Sequence, residues 1–514
     1  MNVDRRNFLK KAGIAAAGLS LMNCNITKGQ KKPNIIYILA DDLGYGELGC
    51  YGQDKIETPN IDKLAKNGMK FNQHYSGSPV CAPSRCVLMT GKHAGHAYIR
   101  GNDGMSSRGD IWDYEKMAKN PKLEGQRPIP DETKTIPELL KTAGYKTGAI
   151  GKWGLGPPHS EGAPNNQGFD FFYGYICQRM AHSYYPTHLW KNGKKDTLRN
   201  ELVVPHQKLG EDKDPKDPES YEKFHGQDYT PTLMYNEMEK FVESNKDHPF
   251  FFYWASLIPH VALAAPEKWV NYYREKFGEE EPYTGDSGYL PSQYPRATYA
   301  AMISYLDENV GKLVKKLKDL GIYDNTLIIF TSDNGPTYTG GADTVWFDSA
   351  DPFKSEYGYS KGFVNEGGIR VPMIAQWPGK IKPGSQSDHI SAFYDVMPTM
   401  CDLGKTECDV ETDGISFAKT LLGKKGQEEH KYLYWEFPAY GGQQAVRMGK
   451  WKAIRKNIKK GNMKIELYNL EKDLQEQNNV ADQHPEIVSE VKKIMEKEHQ
   501  TSRVKTFRMK ALDS

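Results

Sequence analysis

Two short segments concentrate oxygen donors. Asp41-Asp42 and Ser332-Asp333-Asn334-Gly335 together offer three carboxylates and an amide. Hard oxygen ligands of this kind suit calcium or magnesium and not zinc, which favours nitrogen and sulfur. An Asp-Asp pair alone is often a helix cap or a solvated turn. What gives these segments weight is their position. Asp41, Asp42, Lys152, His260, Asp333 and Asn334 each stand at or just beyond the end of a short apolar run. In open α/β sheets, ligands bind outside the carboxyl ends of the strands, so residues far apart in sequence can meet at one edge.

The elements that must position them are legible as patterns. Pro33 to Ala40, Thr147 to Ile150, Phe250 to Ala255 and Thr326 to Thr331 are short runs rich in β-branched and aromatic residues, and they read as buried strands. Thr135 to Ala143 and Arg296 to Leu320 read as helices, the second with Ala301, Tyr305, Val310, Leu313 and Leu317 at helical spacing. Strands alternating with helices predict a mostly parallel sheet covered on both faces. His206 to Gln227 and Gly278 to Pro295 lack either periodicity and read as surface insertions able to shape a cleft. Beyond about residue 425 the runs Lys431 to Phe437, Gln444 to Met448, Trp451 to Arg455 and Lys464 to Asn469 predict a smaller antiparallel unit, followed by a helix over Pro485 to Gln500.

The segment Ser78-Pro79-Val80-Cys81-Ala82-Pro83-Ser84-Arg85-Cys86-Val87-Leu88-Met89-Thr90-Gly91 resembles the signature of the formylglycine sulfatases, Cys-x-Pro-Ser-Arg followed by Leu-x-Thr-Gly, with every fixed position filled. The resemblance extends from about Lys32 to Leu470. It implies an alkaline-phosphatase-like α/β fold: a large mixed, mostly parallel sheet sandwiched by helices, with a smaller C-terminal α+β domain. It implies hydrolysis of a sulfate ester. It implies that Cys81 is oxidised to an aldehyde by a separate formylglycine-generating maturation enzyme. The hydrated aldehyde carries two hydroxyls on one carbon, one to attack sulfur and one to expel sulfate, which divides a hard step into two easier ones. The metal ligands map onto Asp41, Asp42, Asp333, Asn334 and the modified Cys81, with calcium favoured over magnesium. Arg85 holds the formylglycine hydroxyl. Asp333 assists its deprotonation. Lys152, in Gly151-Lys152-Trp153, and Lys361, ahead of Glu366-Gly367-Gly368-Ile369-Arg370, contact the sulfate. His260 protonates the leaving alcohol, a role worth about 10²–10⁴-fold.

The chain departs from the family at one place. Where sulfatases often read Gly-Lys-Trp-His-Leu-Gly, this sequence reads Gly151-Lys152-Trp153-Gly154-Leu155-Gly156. His159, His182, His188 or water are the candidates for the missing base. The stretch Gln178 to Trp190, with two histidines, two tyrosines and a tryptophan, suits sugar recognition, and His182 and His188 are candidate substrate contacts. The glycine-rich turn Gly441-Gly442-Gln443-Gln444 and Arg447 are candidates for the cleft mouth. The substrate expected is a sulfated saccharide, with sulfated galactose or N-acetylgalactosamine favoured. The competing readings are a phosphonate or phosphate ester hydrolase on the same scaffold, and a non-catalytic glycan-binding lipoprotein.

Composition narrows the rest. The 68 basic and 66 acidic residues nearly cancel, which argues against nucleic acid as the main partner. Residues 1–30 read as an export signal. Arg5-Arg6-Asn7-Phe8-Leu9-Lys10 resembles a twin-arginine motif, the apolar run Ala12 to Met22 is too short to span a bilayer, and Cys24 stands where a lipoprotein is acylated. The expected organisation is therefore residues 1–30 as signal, 31–425 as catalytic domain and 426–514 as the smaller domain. The expected location is the bacterial periplasm or its membrane surface. The seven cysteines are too sparse for a disulfide scaffold, though Cys401 and Cys408 are close enough in sequence to pair.

Overall fold

The computed structural model describes residues 31–105, 107 and 113–513. The export signal expected over residues 1–30, including Arg5, Arg6 and Cys24, lies outside them. Among the described residues, no helix is long and apolar enough to cross a membrane.

Eleven strands form the main sheet: β1 (Asn34–Asp41), β2 (Met69–Tyr75), β3 (Lys146–Lys152), β4 (Phe171–Tyr175), β5 (His188–Lys191), β6 (Lys194–Thr197), β7 (Phe250–Pro259), β8 (Thr326–Ser332), β9 (Arg370–Gln376), β10 (Ser385–Ser387) and β11 (Ser391–Ala392). Their order is β10-β2-β9-β8-β1-β7-β3-β4-β5-β6, with β11 also on β2. The centre, β8-β1-β7-β3-β4, is parallel. Strands β2, β8 and β9 meet antiparallel on one side, as do β4, β5 and β6 on the other.

The central strands are mostly apolar on both faces because both faces of the sheet are covered. Side chains alternate between faces. Ile35, Tyr37 and Leu39 of β1 join Phe251 and Tyr253 of β7 in one core. Ile36, Ile38 and Ala40 join Phe250, Phe252 and Trp254 in the other, which is roofed by Thr230–Ser244 and the 25-residue helix Pro295–Asp319. That long helix turns Ala301, Tyr305, Val310, Leu313 and Leu317 inward, as its spacing predicts.

A second sheet of four antiparallel strands follows: β12 (Leu433–Phe437), β13 (Gln443–Met448), β14 (Trp451–Lys456) and β15 (Glu466–Asn469). The helix Pro485–Glu498 packs Val491, Ile494 and Met495 against Tyr434 and Val446 of this sheet. Its opposite face, with Leu433, Trp435, Phe437 and Ile454, merges into the same core as Phe71 and Tyr75. Two segments expected as plain surface loops carry structure of their own. Leu209, Tyr221, Phe224 and Leu290 from these insertions form a small separate core with Ala262. Cys401 and Cys408 are free thiols.

Candidate active site

Register brings the predicted residues together. Ala40 of β1 lies opposite Ser332 of β8, so Asp41-Asp42 and Asp333-Asn334 leave the sheet side by side. Gly151 of β3 lies opposite Ala255 of β7. Lys152 ends β3 and His260 directly follows β7. Gly151 has φ of +102°, and a Cβ there would fall 1.7 Å from the Ala255 carbonyl oxygen, so only glycine lets Lys152 enter at this point.

Cys81 is the first residue of the buried helix Cys81–Thr90, which is aimed at these strand ends. Ser84 Oγ fixes the helix, donating to the Asp333 carbonyl at 2.6 Å and accepting from the Gly77 N–H at 3.1 Å. The Cys81 thiol donates to Asp41 Oδ1 at 3.3 Å, and Lys152 Nζ is 3.7 Å from Sγ. Burial, reinforced by Asp41, pushes that thiol up to about 12. An unmodified Cys81 therefore stays protonated and unreactive at neutral pH.

Each carboxylate faces one cation. Lys152 Nζ lies 2.6 Å from Asp41 Oδ2, Lys361 Nζ 2.6 Å from Asp42 Oδ2, and Arg85 Nη1 3.0 Å from Asp333 Oδ2. Burial, together with the neighbouring carboxylate Asp41, pushes Asp42 and Asp333 up. Despite the same burial, Asp41 is held down by Lys152 and Arg85. Asp42 itself has φ of +66°, a strained conformation for a residue other than glycine and a common feature of functional sites.

Asp41, Asp42, Cys81 and His260 place ligand atoms within 4.8 Å of one another, close enough to share one metal ion. Asn334 Nδ2 donates to Asp42 Oδ1 at 2.8 Å, while Asn334 Oδ1 is buried with no hydrogen-bond partner. A buried amide oxygen left in this way is costly unless a cation takes it. Asp333 Oδ1 accepts the Asp42 N–H at 3.2 Å, which puts it at the same cluster. The donor set is dominated by oxygen and fits a hard divalent cation.

His260 donates from Nδ1 to the Val261 carbonyl and directs Nε2 towards Asp42 Oδ2, 3.7 Å away. Burial and the adjacent Lys152 and Lys361 push its pKa well below the ordinary value. An anion placed between those lysines and the imidazole would oppose that depression.

A cavity of about 290 Å³ opens over Cys81, lined by Lys152, His182, His260, Tyr289, Lys361 and Tyr440 among others. The C-terminal segment reaches the mouth through Phe437, Ala439 and Tyr440, and the turn Gly441-Gly442-Gln443-Gln444 expected there is not part of the lining. Arg447 lies elsewhere, bonded to Tyr75 and Gln73.

The candidate histidines separate. His182 stacks on His260 with ring centroids 5.3 Å apart. The Tyr289 N–H donates to His206 Nδ1 at 3.1 Å, and His206 Nε2 lies 2.9 Å from His182 Nδ1. With both rings neutral, this chain leaves His182 its proton on Nε2, as a donor and not a base. His188 is not in the cavity. It is fully buried, with Nε2 3.0 Å from Glu124 and Nδ1 3.1 Å from Thr187, so the substrate contact expected of it is sterically closed. His159 is exposed on a turn near Trp190. None of the three reaches the position vacant at Gly154. That space belongs to Gln178, whose Oε1 accepts from Arg85 Nη2 at 2.8 Å.

His206, Tyr289 and Gln178 are residues that sequence reasoning did not single out. The first two sit in insertions without periodicity. Gln178 opens the stretch read as a sugar-binding segment, but nothing in its spacing ties it to Arg85.

A central parallel sheet flanked by helices, with this site at its carboxyl edge and a small antiparallel sheet beside it, is the alkaline-phosphatase-like α/β fold. The chain belongs to the sulfatase family, whose profile matches residues 33–406, and it is a sulfuric ester hydrolase. The profile of the N-sulphoglucosamine sulphohydrolase C-terminal region matches residues 355–504. Arylsulfatase A from Homo sapiens is 31% identical, over 82% of this chain and 75% of that protein. N-acetylgalactosamine-6-O-sulfatase from Bacteroides thetaiotaomicron is 29% identical, over 91% and 93%. The crystal structure of Ps i-CgsB superposes with a TM-score of 0.71 at 30% identity, covering 91% of this chain and 94% of that one. The same protein has been solved in complex with k-i-k-neocarrahexaose.

Proposed function

We propose that the protein removes sulfate from a sulfated saccharide, using formylglycine made from Cys81 and a calcium ion held by Asp41, Asp42, Asp333 and Asn334. The observation that carries this reading is the Cys81 thiol at 3.3 Å from Asp41 within a cluster that also holds the orphaned Asn334 Oδ1. The thiol is a poor nucleophile as it stands, whereas an aldehyde hydrate at the same place faces carboxylates able to orient its hydroxyls. Bound calcium would lower the pKa of such a hydroxyl and neutralise sulfate charge. Arg85 holds Asp333 in place. Lys152 and Lys361 face the cavity from two sides and supply positive charge where the sulfate oxygens gain charge. His260 Nε2 gives a proton to the leaving alcohol once the bound sulfate has offset the two lysines and favoured the doubly protonated ring, whose Nδ1 proton stays on the Val261 carbonyl.

The saccharide assignment rests on the cavity's rim and on the relatives. His182, Tyr289 and Tyr440 combine flat rings with polar atoms, a surface suited to sugars. Two of the similar proteins bear names tied to N-acetylgalactosamine or to a neocarrahexaose complex. Sulfated galactose or N-acetylgalactosamine is the preferred unit. The twin-arginine-like segment and Cys24 support a location outside the bacterial cytoplasm, in the periplasm or anchored by lipid, with Cys81 oxidised by a maturation enzyme. Mass spectrometry of the Cys81 peptide from the native host tests the first element, and an aldehyde at this position is expected. Turnover of paired aryl sulfate and aryl phosphonate substrates tests the second, and preference for the phosphonate would overturn the sulfatase reading.

A further inference from the structure

A second concentration of positive charge lies where the small sheet meets the large one. Glu366 is fully buried and faces more cations than one carboxylate can neutralise. Lys452 Nζ is 2.8 Å from its Oε1, and Arg370 Nη1 is 3.1 Å from its Oε2. The Tyr75 hydroxyl donates to the same Oε2 at 2.8 Å and in turn accepts from Arg447 Nε at 3.3 Å. Glu476 is the other carboxylate, 3.7 Å from Lys452. Three cations thus share two acids.

Arg447 is the surplus charge. It is 6% exposed and has no carboxylate within ion-pair distance among the described residues. Its Nη2 donates to Gln73 Oε1 at 3.0 Å, and its Nη1 has no hydrogen-bond partner. A buried guanidinium short of a counter-charge is expensive. It lines a cleft of about 420 Å³ together with Arg370, Gln73, Gly449 and Lys450. Lys450 is exposed on the β13–β14 turn, and Glu471, also exposed, is the one acidic side chain in the lining. Leu470, Leu474 and Ile390 complete the wall. No lining residue is shared with the cavity over Cys81.

We propose that this cleft is a second oxyanion site, which takes a sulfate or carboxylate group between Arg447, Arg370 and Lys450. The forked geometry of guanidinium groups matches two oxygens of such an anion. The anion is either a charged group of the polysaccharide or free sulfate.

Calorimetric titration of the matured full-length protein with sodium sulfate tests the site. Arg447→Gln and Lys450→Ala are each expected to weaken one binding event about tenfold or more, while turnover of a small aryl sulfate stays at the wild-type level. Lys450→Ala carries the test if Arg447→Gln folds poorly, because Lys450 is exposed and its loss leaves the Glu366 network intact. A tenfold rise in KM for a sulfated polysaccharide, with kcat unchanged, assigns the anion to the substrate. An unchanged KM with sulfate binding lost assigns it to free sulfate. Unaltered sulfate binding in both variants overturns the proposal. So does loss of all sulfate binding on Lys152→Ala/Lys361→Ala, since the nucleophile pocket would then be the sole site.

Discussion

Placing at position 154 the histidine that sulfatases often carry there should damage this protein. Gly154 has φ of +73°, which costs a residue with a Cβ about 1–2 kcal/mol. The new Cβ would lie 3.0 Å from Arg85 Nη2 and 3.2 Å from Gln178 Oε1. Arg85 cannot retreat, since Asp333 holds Nη1 at 3.0 Å and the Trp153 carbonyl holds Nε at 3.0 Å. Gln178 must yield, and a hydrogen bond to a charged group is worth about 1.5–3 kcal/mol. The combined loss is about 2.5–5 kcal/mol of stability. If Arg85 shifts instead, a misplacement of about 1 Å next to the reacting centre costs on the order of 10²-fold in rate. Urea unfolding and kcat on an aryl sulfate should be measured for Gly154→His and Gly154→Ala. Both are expected to be less stable and slower than the wild type. A Gly154→His variant as stable as the wild type and at least as active would refute the reasoning, and would show that position 154 lacks only a base.

Cys81→Ala should abolish turnover while lowering stability by only about 1 kcal/mol, since one buried atom is lost; activity above a few per cent would move the nucleophile elsewhere. Chelation followed by dialysis should remove activity, and calcium should restore it. Calcium at 100 times its Kd should also raise the unfolding free energy by about 2.7 kcal/mol, read as a shift in Tm; no shift would deny a metal bound by the folded state. Burial, with His389 adding to it, pushes His74 down to about 3, so the folded protein keeps this ring neutral while the unfolded chain protonates near 6.5. Its contribution to stability is therefore present above about pH 6.5 and lost as pH falls, by about 1.4 kcal/mol per unit. His74→Gln should shrink the stability difference between pH 7 and pH 5 by about 2 kcal/mol in urea unfolding; an unchanged difference would assign the titration to another group. Lys452→Met should destabilise by at least about 3 kcal/mol, because Glu366 loses its closest ion partner while buried; a change under 1 kcal/mol would show that Arg370 alone satisfies it.

The legible parts of this molecule are those set by short-range rules. β1, β3, β7 and β8 of the parallel centre are legible because burial on both faces favours apolar residues at consecutive positions, and the start of each run is marked by a change in polarity. β1 was expected to end at Ala40 and ends at Asp41, and β8 was expected to end at Thr331 and ends at Ser332. The patterns do not show strands β2, β4, β5, β6, β9, β10 and β11. Phe171–Tyr175 is only five residues long with a glycine inside it, and Arg370–Gln376 opens on a charged residue and contains a proline. Their strand character comes from neighbours already in place, which no local pattern records.

The same division runs through the site. Asp41, Asp42, Asp333, Asn334, Lys152 and His260 each mark a strand end, the resemblance to the sulfatases gives them their expected roles, and the sheet's register places them together. His188 shows where that logic stops. It sits among residues of the right types, yet β5 turns it towards Glu124, 64 positions away, and the pairing closes it off from any ligand. His206 and Tyr289 lie on the opposite side of this limit. Each stands in a segment without periodicity, and their contact with His182 exists only because the two insertions fold over the same edge around Leu209, Phe224 and Leu290. The cluster around Cys81 is therefore held by strand ends and the helix Cys81–Thr90, whereas the rim of the cavity takes His182, Tyr289 and Tyr440 from segments whose sequences carry no repeating signal. Substrate choice can thus drift by changes in the insertions while the strand ends stay as they are. For the same reason, exchanging residues 206–227 and 278–295 should alter selectivity among saccharides more than it alters turnover of a small aryl sulfate.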